Sequence, residues 1–196
     1  MMKCLFLAKG RLDDHMNILD EMTEHIPWQR LTTPYGRGTD IPQLIETRQY
    51  KALAELIEHQ STLWQVTPWV LRELLHDLKQ RAADPENVTL DEIELYIAVA
   101  SSFSGQQIGS GPEEEMQMNE LLDERYLWPV NEEEDELLWE EQPTSYEPEP
   151  FFSYYYFSYL LLKQVEPVFT ALLNGNQELA LAIRELQSLL HEAEED

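Results

Sequence analysis

The stretch FFSYYYFSYLL, residues 151–161, is the most aromatic part of the chain and the strongest single indication of its fold. Its first nine positions hold seven aromatic side chains. Wound into an α-helix, these side chains point to every side, so the segment is apolar nearly all round. A helix of this kind must be surrounded by other elements.

Two arrangements would surround this helix. It can lie at the centre of a helical bundle, with its tyrosine hydroxyls reaching the rim. Alternatively, one of its faces stays open for a partner or for a second copy of the chain. We expect the central position, because aromatic side chains prefer protein interiors.

Helical periodicity dominates the remaining chain, since apolar residues recur three or four positions apart. The pattern predicts helices over residues 41–60, 67–82, 89–103 and 177–196, with residues 159–173 and the last helix forming a hairpin kinked near Pro167. The first two helices should pair antiparallel. The predicted inward positions are Ile41, Leu44, Ile45, Ala52, Leu53, Leu56 and Ile57, then Val70, Leu71, Leu74, Leu75 and Leu78, then Ile93, Tyr96, Ile97 and Ala100, and finally Leu179, Ala182, Ile183, Leu186 and Leu190.

Polar residues at the starts of these segments predict helix caps. The expected caps are Asp40, Thr67 with Pro68 behind it, Thr89 in a capping box with Glu92, and Asn176. Before the first of these helices, we expect a short strand near residues 3–9, a helix over residues 12–26 that stops at Pro27, and a loop over residues 28–39 whose YGRG is a turn.

The 196 residues are 43% hydrophobic, enough for one domain with a real core. We therefore expect a single all-α domain over residues 1–196, a bundle of about six or seven helices. An acidic insert at residues 104–150 should elaborate it.

This insert is the most unusual feature of the sequence. Residues 113–149 hold fifteen carboxylates and one basic residue, Arg125. Loop-forming sequences, SGQQIGSGP and PTSYEPEP, bound it on both sides. If the aromatic helix is central, the insert has to cross the outside of the bundle, where its charges are hydrated. Two short helices should dock it on the core through Met118, Leu121 and Leu122, and through Leu137, Leu138 and Trp139.

The net charge of −25 limits the partners of the chain. Such a field repels phosphate backbones and anionic lipid headgroups, so we expect no direct binding to nucleic acid or to a membrane. Its natural partner is a basic protein. The longest uncharged apolar stretch, residues 150–162, is also far shorter than a membrane span.

The insert has two interpretations. One is a solvated flap, as charge runs commonly are. The other is a recognition surface, on which carboxylates steer a basic partner and aromatic rings anchor it. The residues expected to steer are Glu132, Glu133, Glu134, Asp135, Glu136, Glu140 and Glu141, and the expected anchors are Trp128, Trp139 and Tyr146.

Signs of catalysis are weak. Only Glu73 and His76 have the Glu-x-x-His spacing that ferritin-like di-iron bundles use, and chance carboxylate-histidine pairs are expected in so acidic a chain. The sequence contains no phosphate-binding loop, nucleophile elbow or HExxH motif. We expect neither an enzyme nor a cofactor.

The lone Cys4 fits a reducing compartment, and the apolar run at residues 4–8 is too short for a signal peptide, so we expect a cytoplasmic protein. The resulting hypothesis is a non-catalytic acidic protein that occludes a basic surface of its partner. An immunity protein or antitoxin that blocks a nuclease would act so, as would a mimic of DNA charge. The alternatives are a secretion or assembly chaperone, with the aromatic helix as an open groove, and a ferritin-like metalloenzyme. The sequence leaves the oligomeric state open.

Overall fold

The computed structural model describes residues 17–19, 25–106, 108, 116–135, 137, 148–175 and 177–195, and these residues are mostly helical, as predicted. Their α-helices are α1 (Ile41–Glu46), α2 (Tyr50–Ile57), α3 (Thr67–Arg81), α4 (Leu90–Ser101), α5 (Pro148–Gly175) and α6 (Ala180–Glu195). Short 3-10 helices lie at Trp28–Arg30, Pro85–Asn87, Met118–Leu122 and Glu132–Glu134.

Two small antiparallel hairpins accompany the helices. Strands β1 (Thr32–Thr33) and β2 (Gly36–Arg37) form the first, and β3 (Glu58–His59) and β4 (Thr62–Leu63) form the second. Neither hairpin was predicted. The first contains the YGRG turn, where Gly36 has a φ of 120°. At Gly38 a Cβ atom would lie only 2.9 Å from the Val66 side chain, so this glycine allows the hairpin to approach the core.

Helix α5 carries the aromatic stretch and lies at the centre of the packing. It packs chiefly on α3 and α6 and also contacts α4. Tyr154, Tyr155, Phe157 and Tyr159 are all buried, whereas Phe151, Phe152 and Tyr156 are partly buried. The prediction of a central position for this helix is therefore confirmed. The helix continues through Pro167 as one element of 28 residues.

One buried tyrosine of α5 also fixes the second hairpin. The Tyr155 hydroxyl donates a hydrogen bond to the Ser61 carbonyl at 3.2 Å and accepts one from the Leu63 amide, also at 3.2 Å. The polar tip of a core residue thus satisfies backbone groups that the short hairpin leaves unpaired.

The apolar stripes of α3 and α6 are confirmed, since every predicted inward position on them is buried. In α4, Ile93, Tyr96 and Ala100 are buried as expected, and Ile97 is partly buried. These side chains belong to one hydrophobic cluster that also includes the rings of α5.

The prediction of one continuous helix over residues 41–60 is wrong, because the segment forms two helices. The chain leaves the helical conformation after Glu46, where Arg48 has a φ of 53°, and restarts at Tyr50. Helix α2 then packs mainly on α4 rather than on α3. Asp40 makes no side-chain cap, and Thr67 is already the first residue of α3, behind Val66.

The capping box at α4 is only half present, because its acidic member turns inward. The Thr89 hydroxyl accepts a hydrogen bond from the Glu92 amide at 3.3 Å. The Glu92 side chain is fully buried and accepts from the Arg81 guanidinium at 2.7 Å and the Tyr96 hydroxyl at 3.0 Å. Arg81 in turn donates to Asp77 at 2.6 Å and to the Asn87 carbonyl at 2.7 Å.

The charges of this cluster keep its donors protonated. Burial lowers the pKa of Arg81, but its hydrogen bonds to Glu92 and Asp77 outweigh burial and raise it. Burial and the negative charge of Glu92 both raise the pKa values of Tyr96 and Tyr50. The cluster is an ion pair built into the junction of α2, α3 and α4.

Replacing this buried carboxylate should destabilise the fold. Glu92→Gln leaves Arg81 without its buried counter-charge and should lower the free energy of unfolding by about 3 kcal/mol. Tyr96→Phe removes one donor to the carboxylate and should cost about 2 kcal/mol. Urea unfolding followed by circular dichroism measures both.

The matched control is Glu94→Gln, since Glu94 is exposed on the same helix. It should change the free energy of unfolding by less than about 0.5 kcal/mol. Equal losses for the Glu92 and Glu94 variants would contradict the structural role of the ion pair.

The predictions for the strand near residues 3–9, for most of the helix over residues 12–26 and for the cap at Asn176 concern residues outside those that the structure describes. No helix among the described residues combines the length and apolar character needed to cross a bilayer.

Candidate interaction surface

The described part of the acidic insert docks on the core through its first short helix. Met118 and Leu121 in Met118–Leu122 are buried, as predicted. Gln117 and Glu120 form a reciprocal capping box at its start. From this point the chain runs along residues 28–37, the segment that contains the first hairpin.

Gln65 joins the hairpin to the insert. Its amide is fully buried between the two segments. The side-chain oxygen accepts a hydrogen bond from the Thr32 amide at 3.1 Å, and the side-chain nitrogen donates to the Tyr126 carbonyl at 2.7 Å. Both halves of the amide are used, so Gln65 fixes the position of the insert at Tyr126.

Arg30 forms the next connection, through its backbone and its side chain. The Trp128 amide donates to the Arg30 carbonyl at 3.0 Å, and the Arg30 Nε donates back to the Trp128 carbonyl. The two terminal nitrogens bind both oxygens of Glu124 at 2.9 and 2.6 Å. This bidentate geometry is the strongest that an arginine and a carboxylate adopt.

Arg37 holds the following stretch with every nitrogen of its guanidinium. Nε and Nη2 bind the two oxygens of Asp135. Nη1 donates to the carbonyls of Gln29 at 2.8 Å and Pro129 at 3.0 Å, and Nη2 also approaches the Asn131 carbonyl at 3.5 Å. The guanidinium lies over the Trp128 ring, 5.3 Å from its centroid.

The environment of Arg37 shows that this contact is interior. Its side chain is only 7% exposed. The hydrogen bond to Asp135 raises the pKa of Arg37, against the opposing effect of burial. Residues 124–135 are therefore tied to residues 29–37 by Gln65, Arg30 and Arg37, three residues that the sequence analysis did not identify.

The predicted steering carboxylates fall into three groups. Glu132 and Glu133 are exposed and point their charge at solvent. Asp135 is half-buried and compensated by Arg37. The Glu134 side chain, Glu136, Glu140 and Glu141 lie outside what the structure describes, so their roles stay predictions.

The predicted anchor Trp128 is wrong, because its ring is 3% exposed and covered by Arg37. It holds the insert to the chain itself and offers no surface to a partner. Leu137 is also not docked, being 55% exposed. The other predicted anchors, Trp139 and Tyr146, lie outside the described residues, as does Leu138.

The only predicted metal-ligand pair, Glu73 and His76, is exposed on α3. In the part of the chain that the structure describes, no group of three histidine, cysteine or acidic side chains could hold a metal ion.

Comparisons of the chain with protein-family models, with curated proteins and with solved structures find no match.

Loss of the Arg37 side chain should loosen the insert because of the contacts it removes, beyond any effect of the lost positive charge. In Arg37→Gln, Asp135 and the backbone carbonyls around it lose their donor. Amide hydrogen exchange at residues 128–135 should become at least about tenfold faster, because opening then breaks fewer hydrogen bonds. Hydrogen-deuterium exchange with peptide resolution measures this effect.

Arg184→Gln is the control, since Arg184 is exposed on α6 and has no ion pair with any residue that the structure describes. It changes the net charge equally and should leave exchange at residues 128–135 unaltered. Equal acceleration in both variants would mean that net charge, and not the Arg37 contact, orders the insert.

The Arg30 contact should persist down to mildly acidic pH. The hydrogen bond from Arg30 lowers the pKa of Glu124 below its ordinary value of 4.5. A carboxylate whose pKa is lower in the folded state than in the unfolded state stabilises the fold at any pH above its ordinary pKa. This contribution is lost as the pH falls through the folded-state pKa. Carboxyl NMR titration should show the lowered pKa in the unaltered chain and a return toward 4.5 in Arg30→Gln. An unchanged titration would contradict the contact.

Proposed function

We propose that the chain is a non-catalytic acidic binding protein that occludes a basic surface of a partner protein, in the manner of an immunity protein, an antitoxin or a mimic of DNA charge. The partner would be a nuclease or another nucleic-acid-binding protein, and the setting a reducing cytoplasm. The chain would act as one helical bundle of six or seven helices that displays the insert at residues 104–150.

The observation that supports this proposal is the fixation of the insert. Gln65, Arg30 and Arg37 hold residues 124–135 in place, while Glu132 and Glu133 keep their side chains exposed. A flap that served solubility alone would need no such set of specific contacts. Such contacts would hold the exposed carboxylates where they can pair at short range with the basic side chains of a cleft that binds nucleic acid.

The mechanism is competitive occlusion. A cleft that binds nucleic acid is lined by lysine and arginine side chains, which also attract a carboxylate array. With a net charge of −25, the chain is drawn to such a cleft from a distance. Once seated there, it excludes the nucleic acid by charge and volume.

Both alternative functions lack a favouring observation in the described residues. The chaperone hypothesis needs exposed tyrosines on α5, but Tyr154, Tyr155 and Tyr159 are buried. The metalloenzyme hypothesis needs converging ligands, but Glu73 and His76 face solvent.

The first experiment is recovery of the partner. The tagged chain is used to pull down proteins from its native cells at low and at physiological salt, and mass spectrometry identifies what elutes. The proposal expects one basic protein in near-stoichiometric amount, released as salt rises. Recovery of no basic protein at either salt would contradict it.

Neutralising the exposed carboxylates should slow association with that protein. In the double variant Glu132→Gln and Glu133→Gln, we expect the association rate constant to fall about three- to tenfold at low salt, with a shallower salt dependence and a nearly unchanged dissociation rate. Stopped-flow fluorescence measures the rates.

The control for this variant is Glu73→Gln with Glu185→Gln, which removes the same charge from exposed positions on α3 and α6. It should affect association less, because steering is strongest for charges near the contact. Association that does not respond to ionic strength would exclude electrostatic steering.

A further inference from the structure

Several exposed apolar side chains lie close in sequence to the residues of the Arg37 contact. The large hydrophobic residues that stand out to solvent among the described residues are Tyr35, Leu90, Val130, Leu137 and Leu181. Three of these five, Tyr35, Val130 and Leu137, lie within two residues of Arg37 or of a group that Arg37 binds. Single exposed apolar residues are ordinary, but three that flank one set of fixed contacts are candidates for a shared binding surface.

Val130 is the most exposed of the three, at 79%. It lies between Pro129 and Asn131, whose carbonyls both face the Arg37 guanidinium. The backbone on either side of Val130 is therefore held, while its side chain points away from the protein. A fixed apolar side chain loses little conformational entropy on binding.

Tyr35 lies in the turn of the first hairpin, two residues before Arg37. Its ring is 66% exposed and packs edge-on against His59 of the second hairpin, with the ring centroids 5.6 Å apart. The hydroxyl lies 3.4 Å from His59 Nδ1, and the Tyr35 amide donates to the Thr33 hydroxyl at 3.1 Å. Contact with both hairpins orients the ring while leaving most of its surface open.

Carboxylates accompany these apolar residues. Glu132 and Glu133 follow Val130 and Asn131 in sequence and are exposed. Glu124 is bound by Arg30 on one side, yet its side chain is 79% exposed. An apolar centre with a charged rim is the usual anatomy of a protein interface.

We propose that Tyr35, Val130 and Leu137 are the apolar centre of the surface that contacts the partner, with Glu124, Glu132 and Glu133 as its rim. This inference rests on the proposed function and replaces Trp128 as an anchor. Charge complementarity specifies the occupant: a protein surface on which lysine or arginine side chains surround an apolar patch. A polyanion-binding surface without such a patch would fit the rim but not the centre.

The test compares serine substitutions at matched exposure. Val130→Ser and Tyr35→Ser are measured against Leu181→Ser, because Leu181 is 78% exposed on α6 and remote in sequence from Arg37. The probe is the basic protein recovered by the unaltered chain, purified and titrated by surface plasmon resonance. We expect Kd to rise at least about tenfold for Val130→Ser and for Tyr35→Ser, through faster dissociation. The salt dependence of association should not change.

Val130→Thr retains the shape of the side chain and should weaken binding less than Val130→Ser does. All of these positions are exposed, so thermal unfolding should match that of the unaltered chain and exclude a general loss of fold. Kd values for Val130→Ser and Tyr35→Ser within twofold of the Leu181→Ser value would overturn the apolar centre.

The outcomes separate the two proposals. If the Glu132 and Glu133 variant slows association while Tyr35 and Val130 can be changed freely, the proposed function stands and the apolar centre fails. If no basic protein is recovered, both fail. Self-association of the chain in sedimentation velocity, abolished by Val130→Ser, would overturn the stated partner and assign the surface to a second copy.

Discussion

The contact of Arg37 with Asp135 determines how this chain reconciles its acidity with an ordered surface. Carboxylates repel one another, and 38 of them against 13 basic residues would keep an acidic segment away from the core. The guanidinium of Arg37 reverses this repulsion locally, because it gathers one carboxylate and three backbone carbonyls around a single buried charge. Arg30 forms a similar ion pair with Glu124, and Arg81 forms one with Glu92 within the core. A few basic residues thus fix segments whose net charge alone would push them apart.

The same separation of charge from apolar surface operates along the chain. Helix α5 takes the rings of Tyr154, Tyr155, Phe157 and Tyr159 into the interior, where Tyr155 also bonds the backbone of the second hairpin. The acidic residues that precede it in sequence include the exposed Glu132 and Glu133. In the described part of the chain, apolar rings and exposed carboxylates that are close in sequence therefore lie inside and outside one structure. Burying the rings requires something to cross the exterior, and an acidic segment is well suited to that position.

The parts of this structure that sequence could predict are those governed by local periodicity. The stripes of α3 and α6 and the burial of the rings in α5 follow from apolar spacing alone. The second hairpin does not follow from apolar spacing. Its turn at Gln60 and Ser61 takes φ values of 52° and 61° without the Asn-Gly pair that marks such turns. The Arg37 contact joins residues 98 positions apart, a separation that no local pattern encodes. Trp128 shows the resulting error: composition suggested a surface anchor, but Arg37 covers its ring. The scarcity of basic residues was the available signal, because each arginine in so acidic a chain has many carboxylates that it can bind.

Fixing residues 124–135 by ion pairs lowers the net charge that they present, but it orders them before any partner binds. The pairing with Arg37 compensates Asp135, so the surface attracts a basic partner less strongly than a free segment of the same sequence would. In return, the partner does not have to order residues 124–135 on binding, an entropic cost that flexible segments meet at that moment. This prior ordering favours binding only if the contacts with the partner depend on fixed positions. Short-range contacts of apolar side chains do so, whereas long-range electrostatic attraction does not. The fixed backbone on both sides of Val130 meets the requirement of the proposed apolar centre for a side chain at a set position.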